Sequence, residues 1–126
     1  MVNETSETFL DKMNSIITGV EFEGLLKLMF EEMKYHVELT NTTNDQGADL
    51  IITKGNNKTV IQAKFYSGTV GNSAVQEVVA AIKYYSASRG MVITNSSFTN
   101  SAISLARVND IMLINGYDLK VILEIL

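Results

Sequence analysis

Ala48-Asp49-Leu50-Ile51-Ile52-Thr53 and Thr59-Val60-Ile61-Gln62-Ala63-Lys64-Phe65, joined by Lys54-Gly55-Asn56-Asn57-Lys58, are the runs whose reading decides the fold. Both are rich in β-branched and apolar residues, and the segment between them has the Gly and Asn content of a turn. The pair reads as a β-hairpin. In a hairpin the start of the first strand lies beside the end of the second, which brings Asp49 to Gln62 and Lys64 although 13 and 15 positions separate them. Side chains alternate across a strand, so Gln62 and Lys64 share a face and Ala63 points to the other. An acid, an amide and an ammonium thus converge at one end of two adjacent strands.

These groups have complementary uses. Mg²⁺, or Mn²⁺ as its substitute, prefers oxygen and keeps several waters. The Asp49 carboxylate, the Gln62 side-chain oxygen, the Ala63 carbonyl and a phosphate oxygen would complete its shell. Lys64 then stands beside the attacking water, where an ammonium orients it, lowers its pKa or offsets the charge growing on a phosphorane-like transition state. The arrangement suits hydrolysis of a phosphodiester by metal-activated water. Polar–apolar alternation is also the commonest strand pattern, under which Gln62 and Lys64 are a solvent face and Asp49 caps a turn. The rest of the chain decides between the two.

Beyond the hairpin stand Phe22-Glu23 opening a helix, Gly47-Ala48-Asp49-Leu50, Val70-Gly71 followed by Val75-Gln76-Glu77, and Gly90-Met91-Val92-Ile93-Thr94 with Ser97-Phe98-Thr99. In this order and spacing, residues 22–126 resemble the Mrr-type branch of the restriction-endonuclease-like (PD-(D/E)xK) superfamily, marked by an acid on one strand and (D/E/Q)-x-K on the next. The resemblance implies an α/β fold with a restriction-endonuclease-like core, a central mixed sheet of about five strands flanked by helices. It implies that Asp49 is the metal-binding Asp, that Gln62 replaces an acidic ligand, and that Lys64 is the catalytic Lys. Glu23 matches a helix acid that contributes to the metal site, often through water, and Gln76 a polar helix position near it. Gln at position 62 lowers the negative charge of the site, in keeping with this branch.

Composition fits one compact domain. The 126 residues, 46% hydrophobic, can bury a single core. We divide them into an N-terminal helical extension, residues 1–20, and a nuclease-like domain, residues 21–126. Without cysteine there are neither disulfides nor thiolate zinc sites. No run approaches the roughly 18 apolar residues of a membrane helix, and the acidic N-terminus lacks the basic start of a signal peptide, so a cytoplasmic protein with no membrane partner is expected. The net charge of −4 argues against a broadly basic surface. Seven of the fourteen acids are Glu4, Glu7, Asp11, Glu21, Glu23, Glu31 and Glu32. The central segment is more balanced, with Lys54, Lys58, Lys64, Lys83 and Arg89 available to line a groove.

Helical spacing predicts a first helix over 5–18, stopped by Gly19, and a second over 21–34 with Glu23 on its flank. Glu21 is the rival acid, because register at a helix start is uncertain, and a helix-start Glu is also favoured by the macrodipole alone. A strand over 36–40 leads into the polar loop 41–47, where Asp45 reads as a turn residue or a metal or water contact. Helices are predicted over 73–87 and 100–108, strands over 91–94 and 111–114, and a helix or strand over 118–126. The alternation implies parallel pairing. Lys83, Tyr84 and Tyr85 meet nucleic acid or pack at the helix margin. Thr94, Asn95 and Ser96 bind phosphate or cap a loop. His36, without a histidine or cysteine partner, reads as structural.

Three functional readings follow. The first is a Mg²⁺-dependent DNA endonuclease, with a Holliday-junction-resolvase-like, structure-specific form as its near variant, a homodimer making paired cuts. The second is a nucleic-acid-binding module that kept the fold without cutting. The third is a regulatory or assembly subunit contacted through the first helix. Target choice would fall to a separate DNA-recognition domain or subunit.

Overall fold

The computed structural model describes residues 7–40 and 47–126. The elements run α1 (Phe9–Asn14), α2 (Gly19–Glu32), β1 (His36–Leu39), β2 (Leu50–Lys54), β3 (Asn57–Lys64), α3 (Asn72–Tyr84), β4 (Arg89–Thr94), α4 (Asn100–Val108), β5 (Met112–Ile114) and α5 (Gly116–Ile125). The strands form one sheet in sequence order. β1, β2 and β3 are antiparallel, and β3, β4 and β5 are parallel. The sheet is therefore mixed, with two antiparallel connections and two helical crossovers.

The hairpin is tighter than its composition suggested. Lys54 pairs with Asn57, so only Gly55 and Asn56 turn. Gly55 takes φ 62° while Asn56 stays on the negative side, the sign pattern of a type II′ turn, whose twist matches that of the strands.

Gly19 begins a helix instead of ending one. The Thr18 hydroxyl accepts from the Glu21 amide at 3.1 Å and the Glu21 carboxylate accepts from the Thr18 amide at 3.0 Å. This reciprocal capping box satisfies two donors that a helix start otherwise leaves bare. Gly19 has no left-handed φ, so its stop signal is never used. Thr8 and Asp11 form the same box on α1, which ends at Asn14, so Ile16 and Ile17 fall in the link and Ile17 is exposed. The undecided terminal segment is a helix. Asn115 caps it through the Asp118 amide, and a side chain on Gly116 would collide with the Asn95 carbonyl.

The sheet separates two apolar layers. On one face Phe22, Leu26 and Met29 of α2 meet Leu50, Ile61, Ile93 and Leu119, with Met13 of α1 in the same cluster. On the other, Val75, Val78 and Ala81 of α3 and Ala102 and Ala106 of α4 cover Val60 and Val92. Full burial of each large side chain stabilises the fold by about 1.5–3 kcal/mol. Among the described residues no helix is long and apolar enough to cross a membrane.

Candidate active site

The strand pairing carries the site to the end of β3 opposite its turn. Asp49 directly precedes β2; its amide donates to the Ile61 carbonyl at 2.8 Å, which continues the hairpin ladder one residue beyond the strand. Its Oδ2 accepts from the Ala63 amide at 2.8 Å. The Asp49 carboxylate is thereby held across from the Gln62 to Lys64 segment. Ile61 belongs to the α2 face and Val60 to the α3 face, so alternation puts Gln62 and Lys64 toward α3.

There they meet Glu77. Gln62 is 5% exposed, and its Nε2 donates to Glu77 Oε1 at 3.0 Å. Lys64 Nζ stands 3.2 Å from the same oxygen. A carboxylate only accepts, so Glu77 selects the NH₂ end of the Gln62 amide and turns the oxygen away. Gln62 Oε1 is buried with no hydrogen-bond partner. A buried acceptor left bare costs about 1–3 kcal/mol, a penalty that a cation there would remove. Asp49, Gln62 Oε1 and the Ala63 carbonyl are hard oxygen donors of the kind Mg²⁺ and Mn²⁺ take, so the residues present fit such an ion. Among the described residues there is no group of three or more His, Cys, Asp or Glu that could hold a metal. The donor set here rests on an amide and a backbone carbonyl beside one carboxylate.

The two helix acids have separate positions. Glu21 Oε1 accepts from the Ile17 amide, the Thr18 amide and the Thr18 hydroxyl at 3.0, 3.0 and 3.1 Å. These bonds, the Ile17 amide first, lower its carboxyl pKa. Glu21 is thus engaged in its own helix cap. Glu23 is part-buried one residue beyond Phe22, whose ring lies 5.5 Å from that of Phe65 next to Lys64. It stands at the site's end of β3, but on the helix that covers the opposite face of the sheet.

The remaining polar residues divide by location. Gln76 is exposed on the side of α3 roughly opposite Ala74, Val78 and Ala81, and Glu77, one residue on, reaches the site instead. Helical phase, at about 100° per residue, is the signal that distinguishes them. Thr94 is fully buried; its hydroxyl donates to the Lys64 carbonyl at 2.7 Å, so it braces the strand beneath the site and presents nothing to a ligand. Asn95 exchanges two bonds with the Tyr66 backbone, at 2.7 and 2.8 Å, and Ser96 bonds the Gly68 carbonyl at 2.7 Å. The loop after β3 is thereby strapped to the loop after β4, the capping role of the two readings. Tyr66, 44% exposed with its ring 5.9 Å from Lys64 Nζ, is a second residue that the sequence did not single out.

Lys58 and Lys83 are not brought to this end. Lys58 lies six residues before Lys64, about 20 Å along an extended strand, and its Nζ bonds the Tyr85 carbonyl at 3.1 Å. Lys83 is exposed in the last turn of α3, two residues before Tyr85. Tyr84 and Tyr85 pack edge to face with centroids 4.9 Å apart. His36 is exposed at the start of β1, 3.8 Å from Glu38. Asp45 lies outside the described residues.

Comparison with known proteins sets this geometry in context. The family model Mrr_cat, described as restriction endonuclease, matches residues 14–123. The type IV methyl-directed restriction enzyme EcoKMrr of Escherichia coli (strain K12) is 28% identical over 120 residues, which cover 92% of this chain and 40% of the enzyme. Among solved structures, AF1548, a protein of unknown function, superimposes with a TM-score of 0.71 at 15% identity, over 82% of this chain and 64% of that one. The DNA modification-dependent restriction endonuclease AspBHI gives 0.68 at 19% identity, over 91% of this chain and 34% of that one. MspJI restriction endonuclease, solved with a 27-mer oligonucleotide, gives 0.58 at 24% identity, over 80% and 26%. The chain spans well under half the length of the three restriction enzymes. At these identities the structural likenesses speak for the fold, a restriction-endonuclease-like core built on a five-stranded mixed sheet.

Proposed function

The chain belongs to the Mrr-type restriction endonuclease family, and from that premise we propose that it is a metal-dependent DNA endonuclease whose site is Asp49, Gln62, Ala63 and Lys64, with Glu23 as an outer acid. The observation that carries the proposal is Gln62 Oε1, a buried acceptor without a partner on the strand that carries Lys64. Mg²⁺ or Mn²⁺, when bound, supplies Lewis acidity at a phosphate oxygen and makes water a better nucleophile at neutral pH. Asp49 and Gln62 would hold the ion, and the Ala63 amide fixes the Asp49 carboxylate. Lys64 orients the attacking water and offsets the charge that builds on the phosphate oxygens. Thr94 holds the Lys64 carbonyl so that the ammonium is presented from a fixed strand end.

Homodimerisation would place two such sites on the two strands of a duplex. Methyl-directed and modification-dependent choice, stated in the names of two relatives, belongs in this reading to a separate recognition domain or subunit. Lys58 and Lys83 would contact DNA only where a duplex runs along the α3 side of the sheet.

A second reading, a DNA-binding module that does not cut, is favoured by the absence, among the described residues, of a group of three or more His, Cys, Asp or Glu that could hold a metal. Cleavage of supercoiled, linear, single-stranded and four-way-junction DNA with Mg²⁺, Mn²⁺ or EDTA, wild type beside Asp49→Ala, separates the two. Metal-dependent cutting lost in the variant is the expected result. Folded wild type that cuts none of these substrates under either metal would transfer the assignment to the second reading.

A further inference from the structure

We propose that Glu77 is a positioning residue of this site. It sets the orientation of the Gln62 amide so that the oxygen faces the metal position, and it holds the Lys64 ammonium alongside. The inference rests on the metal-dependent reading above and deepens it.

One carboxylate oxygen of Glu77 receives both the Gln62 Nε2 donor, at 3.0 Å, and Lys64 Nζ, at 3.2 Å. An amide side chain can present either end to a neighbour; beside a carboxylate, only its NH₂ end is bonded. The oxygen is then not the end bonded to Glu77, and it stays buried without a partner. A neutral ligand replacing an acid has no charge to orient it toward a cation before the cation arrives, so a fixed hydrogen bond must perform that task. The Glu77 backbone adds a third contact. A side chain on Gly47, which takes φ 84°, would collide with the Glu77 carbonyl oxygen. The turn of α3 at Glu77 therefore packs on the segment leading to Asp49, while its side chain fixes the two functional groups of β3. The Glu77 side chain is 46% exposed, so replacing it removes these bonds without opening the core.

Glu77→Gln and Glu77→Ala separate orientation from charge and from direct ligation. Gln keeps an acceptor oxygen for Gln62 Nε2, and Ala keeps none. Mn²⁺ binding by the whole chain, with free ion counted by electron paramagnetic resonance, should weaken by about 10- to 100-fold in Glu77→Ala, the usual loss for a residue that orients a metal ligand. Glu77→Gln should stay close to wild type. Equal affinity of Glu77→Ala and wild type would overturn the proposal, as would a Glu77→Gln as weak as Glu77→Ala, which would mark a charged ligand.

Asp49→Ala is the control for the underlying reading. If it loses Mn²⁺ while Glu77→Ala does not, only the role of Glu77 fails; if wild type takes no Mn²⁺, the metal-dependent reading itself fails. Hydrogen exchange of the Gln62 side-chain amide, followed by nuclear magnetic resonance without metal, tests the orientation separately. Slow exchange in wild type and Glu77→Gln, with fast exchange in Glu77→Ala, is expected, and equal exchange in all three would overturn the proposal.

Discussion

In the proposed mechanism Lys64 acts on water and on transition-state charge, whereas Asp49 acts through the ion, so their loss should look different. Lys64→Ala should abolish cleavage and leave Mn²⁺ binding near wild type; Asp49→Ala should lose both. A Lys64→Ala protein cutting at the wild-type rate would sink the mechanism. The cap bonds of Glu21 can be read by acid titration. The folded-state pKa of Glu21 is lowered by its cap bonds, so its contribution is present above the unfolded pKa and fades as pH falls through the folded one. Denaturation midpoints of wild type and Glu21→Gln should therefore differ at neutral pH and converge in acid, with cleavage unaffected by the change. Asp49, Gln62 and Lys64 were legible because strand alternation and a hairpin turn are written in consecutive residues. Glu77 was not, since choosing it over Gln76 requires the phase of α3 relative to a sheet whose order the sequence does not state. The distance of Lys58 and Lys83 from the Lys64 end of β3 was not legible for the same reason: charge shows in a sequence, but the end of the strand it serves does not.

The hairpin and the helix starts show how local signals compete. Gly55 meets nothing within 4 Å where a Cβ would stand, so only its backbone conformation resists substitution. Gly55→Ala should cost about 1 kcal/mol, measured by chemical denaturation, because alanine is strained at positive φ. Thr18→Ala should cost a similar amount, about 0.5–2 kcal/mol, by removing one side of the α2 box. The glycine at position 19 was misread because a stop signal and a start signal overlap there, and Thr18 with Glu21 supplies two bonds where glycine supplies only freedom. The 100–108 helix was legible to the residue, since Thr99 caps it through the Ala102 amide at 3.0 Å and Val108 ends its amphipathic run. α1 is shorter than its apolar spacing implied because Met13 alone of its residues is buried, too little to extend it through Ile17.

At the scale of the molecule the sheet divides the chain into two layers. Leu119→Ala, fully buried in one of them, should destabilise by about 2–5 kcal/mol, whereas Val121→Ala, 40% exposed on the same helix, should change the denaturation midpoint little. Where lysines and arginines carry DNA binding through phosphate contacts, affinity should fall as salt rises, and a flat response would show that phosphate contacts do not dominate. The layer assignment was only partly legible, because alternation tells which residues share a face but not which helix covers it. The layers also differ in which parts of the chain build them. Every described buried residue of the α3 and α4 layer lies between Ala48 and Ile111, whereas Phe22, Leu26 and Met29 share their cluster with Leu119 and Leu123. During synthesis Asp49, Gln62, Lys64 and Glu77 thus have their supporting layer in hand before α5 is translated, while the α2 layer still lacks Leu119 and Leu123.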